Sequence, residues 1–121
     1  MKYILPFTVL IILISAFVKP QFKSQLTIKS HEQFFLGGGQ SKTFSAYAKN
    51  VGSVPVTITL RDDDGTEKEL IQLQPGKDIK AKAPSKAALL FLNASDEEAK
   101  LDVKADGKPE SLNMYYKPES K

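Results

Sequence analysis

Val54-Pro55-Val56-Thr57-Ile58-Thr59-Leu60-Arg61 is the stretch that decides the fold. Val54, Val56, Ile58 and Leu60 recur at every second position, and Pro55, Thr57, Thr59 and Arg61 fill the gaps. A period of two marks a strand with one buried and one solvated face. The β-branched residues in it suit a pleated, half-buried surface. Asp62-Asp63-Asp64-Gly65 follows, then the apolar run Leu70-Ile71-Gln72-Leu73. Asp-Gly between two such runs predicts a hairpin, because glycine supplies the positive φ that a tight turn demands.

The same pattern extends in both directions. Leu26 and Ile28 alternate with Gln25, Thr27 and Lys29; Phe44, Ala46 and Ala48 alternate with Ser45, Tyr47 and Lys49. Downstream, Ile79, Ala81 and Ala83 interleave with lysines, Leu101, Val103 and Ala105 with Lys100, Asp102 and Lys104, and Leu112, Met114 and Tyr116 close the series. Asn50-Val51-Gly52-Ser53, Gln74-Pro75-Gly76-Lys77 and Asp106-Gly107-Lys108-Pro109 separate the runs with turn chemistry. Ser95-Asp96-Glu97-Glu98 matches a capping box, but the period-two run behind it predicts one turn or a plain loop. Short strands at regular intervals predict an all-β fold: a small antiparallel β-sandwich, jelly-roll or Ig-like, spanning residues 25–116. Residues 17–24 are expected to form a tether and residues 117–121 a flexible tail.

One strand breaks the alternation. Ala87-Ala88-Leu89-Leu90-Phe91-Leu92 is apolar on both phases, so its second face must also be covered. The expected cover is residues 31–39, with Gln33-Phe34-Phe35-Leu36 folding over that face; the alternative is a partner, a second copy included.

Residues 3–18 are apolar apart from Pro6, Thr8 and Ser15, and they follow Lys2. Such a run fits a secretory signal and is short for a membrane span. Residues 1–16 are therefore expected to be an export helix cleaved after Ala16, or an uncleaved anchor reaching residue 18, which would be the chain's only membrane contact. With no cysteine, a lipid-anchored thioether is impossible and the domain must hold together without disulfides. Disulfide-free export is typical of a bacterial envelope, so a periplasmic or extracellular location is expected. The net charge of +3 comes from lysines interspersed with acids, not clustered as in a nucleic-acid binder.

Catalytic constellations are scarce. One histidine, His31, and no cysteine exclude a Cys/His pair and a multi-His or thiolate zinc site. The Gly37-Gly38-Gly39-Gln40-Ser41-Lys42 run has the wrong spacing for a phosphate loop and is expected to be a connector. No catalytic residue and no cofactor are expected. Asp62, Asp64 and Glu67 are the candidate calcium ligands, set against the simpler reading of a hairpin turn. Tyr47 and Tyr115 fall on polar phases, and with Leu90 and Leu92 they are the candidate binding surface. Lys80, Lys82, Lys100 and Lys104 on outward faces are expected to guard strand edges against association.

The segment Asn50-Val51-Gly52-Ser53-Val54-Pro55-Val56, with Leu73-Gln74-Pro75-Gly76, resembles the strand-turn grammar of secreted bacterial β-sandwich modules. Many unrelated families share it, and it carries no functional residue across. The expectation is an exported, non-catalytic binding or assembly module for a protein or surface glycan. The alternatives are an extracytoplasmic hydrolase or hydrolase inhibitor, and a structural component that self-assembles.

Overall fold

The computed structural model describes residues 21–106 and 112–119. The predicted export segment, its cleavage point and residues 107–111 and 120–121 lie outside them. Among the described residues nine strands run in chain order: β1 (Gln21–Ile28), β2 (Glu32–Gly37), β3 (Phe44–Asn50), β4 (Val56–Arg61), β5 (Glu67–Leu73), β6 (Asp78–Ala83), β7 (Ala88–Asn93), β8 (Ala99–Asp106) and β9 (Met114–Pro118). No helix occurs among the described residues.

The strands form two antiparallel sheets, ordered β1-β8-β3-β6 and β5-β4-β7-β2-β9. Strands β4 and β5 pair as a hairpin, and outward from it β3 pairs with β6, β2 with β7 and β1 with β8. This nested pairing is a long hairpin rolled up so that successive strand pairs alternate between sheets. It is the jelly-roll arm of the expectation; the Ig order, with its strands A, B, E and D in one sheet, is not followed. The ninth strand extends the second sheet beside β2.

Strict alternation places the core. In β8 the burial pattern alternates along all its residues, with Ala99, Leu101, Val103 and Ala105 inward. Val56 and Ile58 of β4 are fully buried against Leu73, Leu89 and Phe91 of the same core. Phe34 meets Phe91 at 6.2 Å between ring centroids, a tilted aromatic pair at the centre of the sandwich.

Three of the boundary expectations require correction. Residues 21–24 are strand, not tether: β1 pairs with β8 from Gln21 onwards. The tail is partly anchored, because Lys117 and Pro118 belong to β9 and the Glu119 amide donates to the His31 carbonyl at 2.8 Å. Residues 31–39 do not lie over the second face of β7. Gln33-Phe34-Phe35-Leu36 forms a strand hydrogen-bonded at its side. Both β2 and β7 are consequently buried on both faces.

Buried amide side chains tie the turns to the sheets. Asn50, fully buried, donates from Nδ2 to the carbonyls of Val54 (2.8 Å) and Leu73 (2.9 Å) and accepts from the Gly52 amide at 3.0 Å. Asn93, also fully buried, donates to the carbonyls of Ile28 (2.9 Å) and Glu97 (2.7 Å). Its Oδ1 accepts from the Ser95 amide (3.0 Å) and from Ser95 Oγ (2.6 Å). Loop backbone buried at a strand end needs such partners, since an unpaired polar group there is costly. Ser95-Asp96-Glu97-Glu98 is accordingly a side-chain-bonded turn between β7 and β8 and not a helix.

Candidate functional site

The outward face of the five-stranded sheet carries a small apolar cluster separate from the main core: Phe35 of β2 with Ala88 and Leu90 of β7. Register places Phe35 opposite Leu90 on one side and opposite Tyr115 of β9 on the other. The rings of Phe35 and Tyr115 stack, with centroids 4.7 Å apart and planes 8° from parallel. Phe35 is buried, whereas Tyr115 is 48% exposed. The phenol therefore lies on a rigid apolar base and is half presented to solvent.

Beside this stack lies a cleft of about 280 Å³. The β4–β5 turn supplies one wall with Arg61, Asp62 and Asp63; Gly37 and Gly38 at the end of β2, Lys86, and Asn113 with Tyr115 supply the others. Each wall is held in place. The Gly65 amide donates to the Asp62 carbonyl (2.9 Å), and the Asp62 amide donates to the Thr66 carbonyl (2.9 Å). Gly37 donates to the Asn113 carbonyl at 2.8 Å, and Asn113 Nδ2 donates to the Gly38 carbonyl at 2.6 Å. Buried Gln40 braces the floor: its Oε1 accepts from the Gly38 amide (2.7 Å), and its Nε2 donates to the carbonyls of Pro84 (3.1 Å) and Ala87 (2.9 Å). Lys86 stands at φ 69°, a left-handed conformation uncommon outside glycine, with its amide held by the Gln40 carbonyl at 2.8 Å.

The predicted surface residues divide between two faces. Tyr115 and Leu90 flank Phe35 on the outward face of one sheet, but Leu90 is buried and only Tyr115 lines the cleft; Leu92 stands two residues further along β7, opposite Gln33. Tyr47 lies on β3 in the other sheet, where its hydroxyl donates to Asp78 Oδ2, a contact that raises its pKa. The candidate calcium ligands do not converge. Asp64 Oδ1 accepts from the Thr66 amide at 2.9 Å, which lowers its pKa, and Glu67 faces Arg61 at 3.9 Å. Among the described residues no three His, Asp or Glu side chains are grouped to share an ion. The turn reading of this segment is the one the backbone adopts, with Gly65 at φ 90°. Sequence reasoning missed Phe35, Arg61, Lys86, Asn113 and the brace Gln40. The apolar Phe34-Phe35 doublet was the available signal, because one of two successive strand residues must face away from the core.

At the opposite end of β2, His31 joins two loops. Its Nε2 lies 2.9 Å from Asp96 Oδ1 and its Nδ1 lies 3.1 Å from Glu119 Oε1. The adjacent Glu32 is not among its partners; Glu32 Oε1 accepts from the Lys29 amide. A neutral imidazole can donate from one nitrogen only, so satisfying both carboxylates requires the imidazolium. The hydrogen bonds to Asp96 and then Glu119 raise its pKa above the ordinary 6.5. A raised pKa contributes stability that is complete below 6.5 and is lost as pH climbs through the folded-state value. The melting temperature is therefore expected to decline modestly over that window, modestly because the group is exposed to solvent. In His31→Gln the decline should vanish; a parallel profile in the variant would refute the clamp.

No family model matches the sequence, and no curated protein matches it. Among solved structures, eight chains match. One is the crystal structure of Yersinia pseudotuberculosis-derived mitogen, 16% identical, with a TM-score of 0.49, covering 79% of this chain and 96% of that one.

Proposed function

We propose that the protein is an exported, non-catalytic binding or assembly module of the bacterial cell envelope or extracellular space, recognising a protein or surface glycan through the cleft beside Tyr115. The observation that carries this reading is the Phe35–Tyr115 stack at the mouth of a polar cleft. A half-exposed tyrosine on a fixed base loses little entropy on contact, and its flat face suits a sugar ring or an apolar anchor. Arg61, Asp62, Asp63 and Asn113 add donors and acceptors around it. The unusual backbone of Lys86 supports the same reading, since strained residues cluster at sites that use them.

Tyr115→Ala is the test. Tyr115 is half exposed on an edge strand, so the melting temperature should stay within a few degrees of the parent. Affinity for the ligand, found by glycan array and by cross-linking in envelope extract, should fall about thirtyfold, the scale of a 2 kcal/mol aromatic hot spot. Equal binding by parent and variant would remove the cleft from the function.

A further inference from the structure

The outward face of the four-stranded sheet holds an arrangement that folding alone does not favour. Register aligns Lys23 of β1, Lys104 of β8, Tyr47 of β3 and Lys80 of β6 in one row across all four strands. The three lysines are exposed and Tyr47 is half-buried. Lys23 and Lys104 stand directly opposite each other, and like charges so placed are destabilising. Lys104 Nζ leans 5.9 Å from the centre of the Tyr47 ring.

Edge protection accounts for only part of this. Strands β1 and β6 are edges, so Lys23 and Lys80, with Lys82, can discourage strand addition. Strand β8 lies between β1 and β3, which overturns the edge reading of Lys100 and Lys104. A lysine set against another lysine in an interior strand has no edge to guard.

The neighbouring rows define the shape of the charge. On one side the next row is Gln25, Asp102, Lys49 and Asp78, which is acidic on balance. On the other, Asp106 stands beside Ser45, whose amide donates to Asp106 Oδ1 at 2.7 Å, and Lys82 stands opposite Ser45 at the β6 edge, so this row carries one acid and one lysine. The lysine-rich row is thus flanked by rows of mixed charge, one net acidic and one balanced, and is about 14 Å long, three strand spacings. A flat anionic bilayer laid on this face would meet Asp78, Asp102 and Asp106 together with the lysines. A linear chain of acidic groups running across the strands would meet the lysines alone. Tyr47, in the middle of the row, offers a ring face once Lys104 turns to an anion.

We propose that this row is a binding track for a linear acidic polysaccharide, whose carboxylates or sulfates pair with Lys23, Lys104 and Lys80 while a sugar ring packs on Tyr47. The track is on the opposite side of the sandwich from the cleft and is independent of it.

The test uses the full chain in detergent micelles, with polygalacturonate as probe and neutral dextran and single-stranded oligo-dT as comparators. Polygalacturonate should bind, with affinity dropping roughly tenfold or more between 50 and 200 mM salt as charge contacts are screened. The triple variant Lys23→Gln, Lys80→Gln, Lys104→Gln should lose at least tenfold, whereas the arginine triple should retain binding. An equal-charge control, Lys42→Gln, Lys68→Gln, Lys77→Gln, and Tyr115→Ala should both bind like the parent. Equal losses in the two glutamine triples would reduce the effect to net charge and overturn the track. Dextran binding as tightly, or oligo-dT binding more tightly, would overturn it as well.

Discussion

Replacing Asn93 with leucine is expected to lower stability by about 3 kcal/mol and the melting temperature by roughly 10–20 °C. Leucine shares the branched skeleton of asparagine but is bulkier, so the lost hydrogen bonds are the main expected cost and any crowding adds to it. Asn93 is fully buried, and its amide serves the carbonyls of Ile28 and Glu97 and the Ser95 amide, which lie at the C-terminal end of β1 and in the β7–β8 loop. Leucine removes every one of those bonds and offers nothing in return. Each buried group left unpaired costs about 1–3 kcal/mol. Partial hydration of the Ser95 loop, whose side chains reach solvent, keeps the sum near the lower end. Ser95→Ala is the matched control: it deletes the hydroxyl bonded to Asn93 Oδ1 but leaves that oxygen the Ser95 amide, so a loss of at most about 1 kcal/mol is expected. Thermal and urea melts of both variants check the pair. Near-equal losses would show that the asparagine is not the anchor of this end of the sandwich.

Gly37→Ala is expected to cost about as much, roughly 3 kcal/mol, by a different route. Gly37 stands at φ 94°, a conformation that opposes any Cβ by roughly 1–2 kcal/mol. Space is also lacking: a Cβ would come within 2.6 Å of Phe44 Cε1 and 2.8 Å of its Cζ. Phe44 is a buried core ring, so it cannot swing into solvent to make room. Overpacking of this kind typically adds about 1–3 kcal/mol. Because Gly37 also lies at the cleft, the variant should lose ligand affinity together with stability. Gly39→Ala separates the two causes. It shares a positive φ (84°), but its added Cβ meets nothing nearer than Asn113 Nδ2 at 3.9 Å, so only the backbone strain should appear. Urea midpoints for the two variants give the comparison, and equal shifts would mean that the Phe44 clash is relieved without cost.

The alternation in Val54-Pro55-Val56-Thr57-Ile58 was enough to read β4 correctly, because a half-buried strand writes its two environments into alternate residues. The doubly apolar β7 likewise announced a second covered face, which the Phe35, Ala88 and Leu90 cluster occupies. What could not be read was who lies beside whom. Gln33-Phe34-Phe35-Leu36 is buried on both phases, and such a run gives no indication whether it lies over its neighbour or beside it. Residues 21–24 escaped because Ser24, opposite Val103, puts a small polar residue on the phase that should be apolar. Lys117 and Pro118 look like a tail since an exposed edge strand needs no apolar face and tolerates proline. The cleft was illegible for a related reason: Arg61, Lys86 and Tyr115 are brought together only by register across four strands.

The nested order of strand pairs also bears on how so non-local a structure can be reached. Pairing β1 directly with β8 in an open chain would close a very long loop before any contact offset its entropy. Once the β4–β5 hairpin exists, however, the ends of β3 and β6 already lie near each other, and closing them adds only the short links on either side. The same holds for β2 with β7, and finally for β1 with β8. Each closure beyond the first therefore spans a small effective loop, even though the residues it joins are progressively farther apart along the chain. The Asp-Gly turn at the middle of the chain is the point from which that sequence of closures can begin.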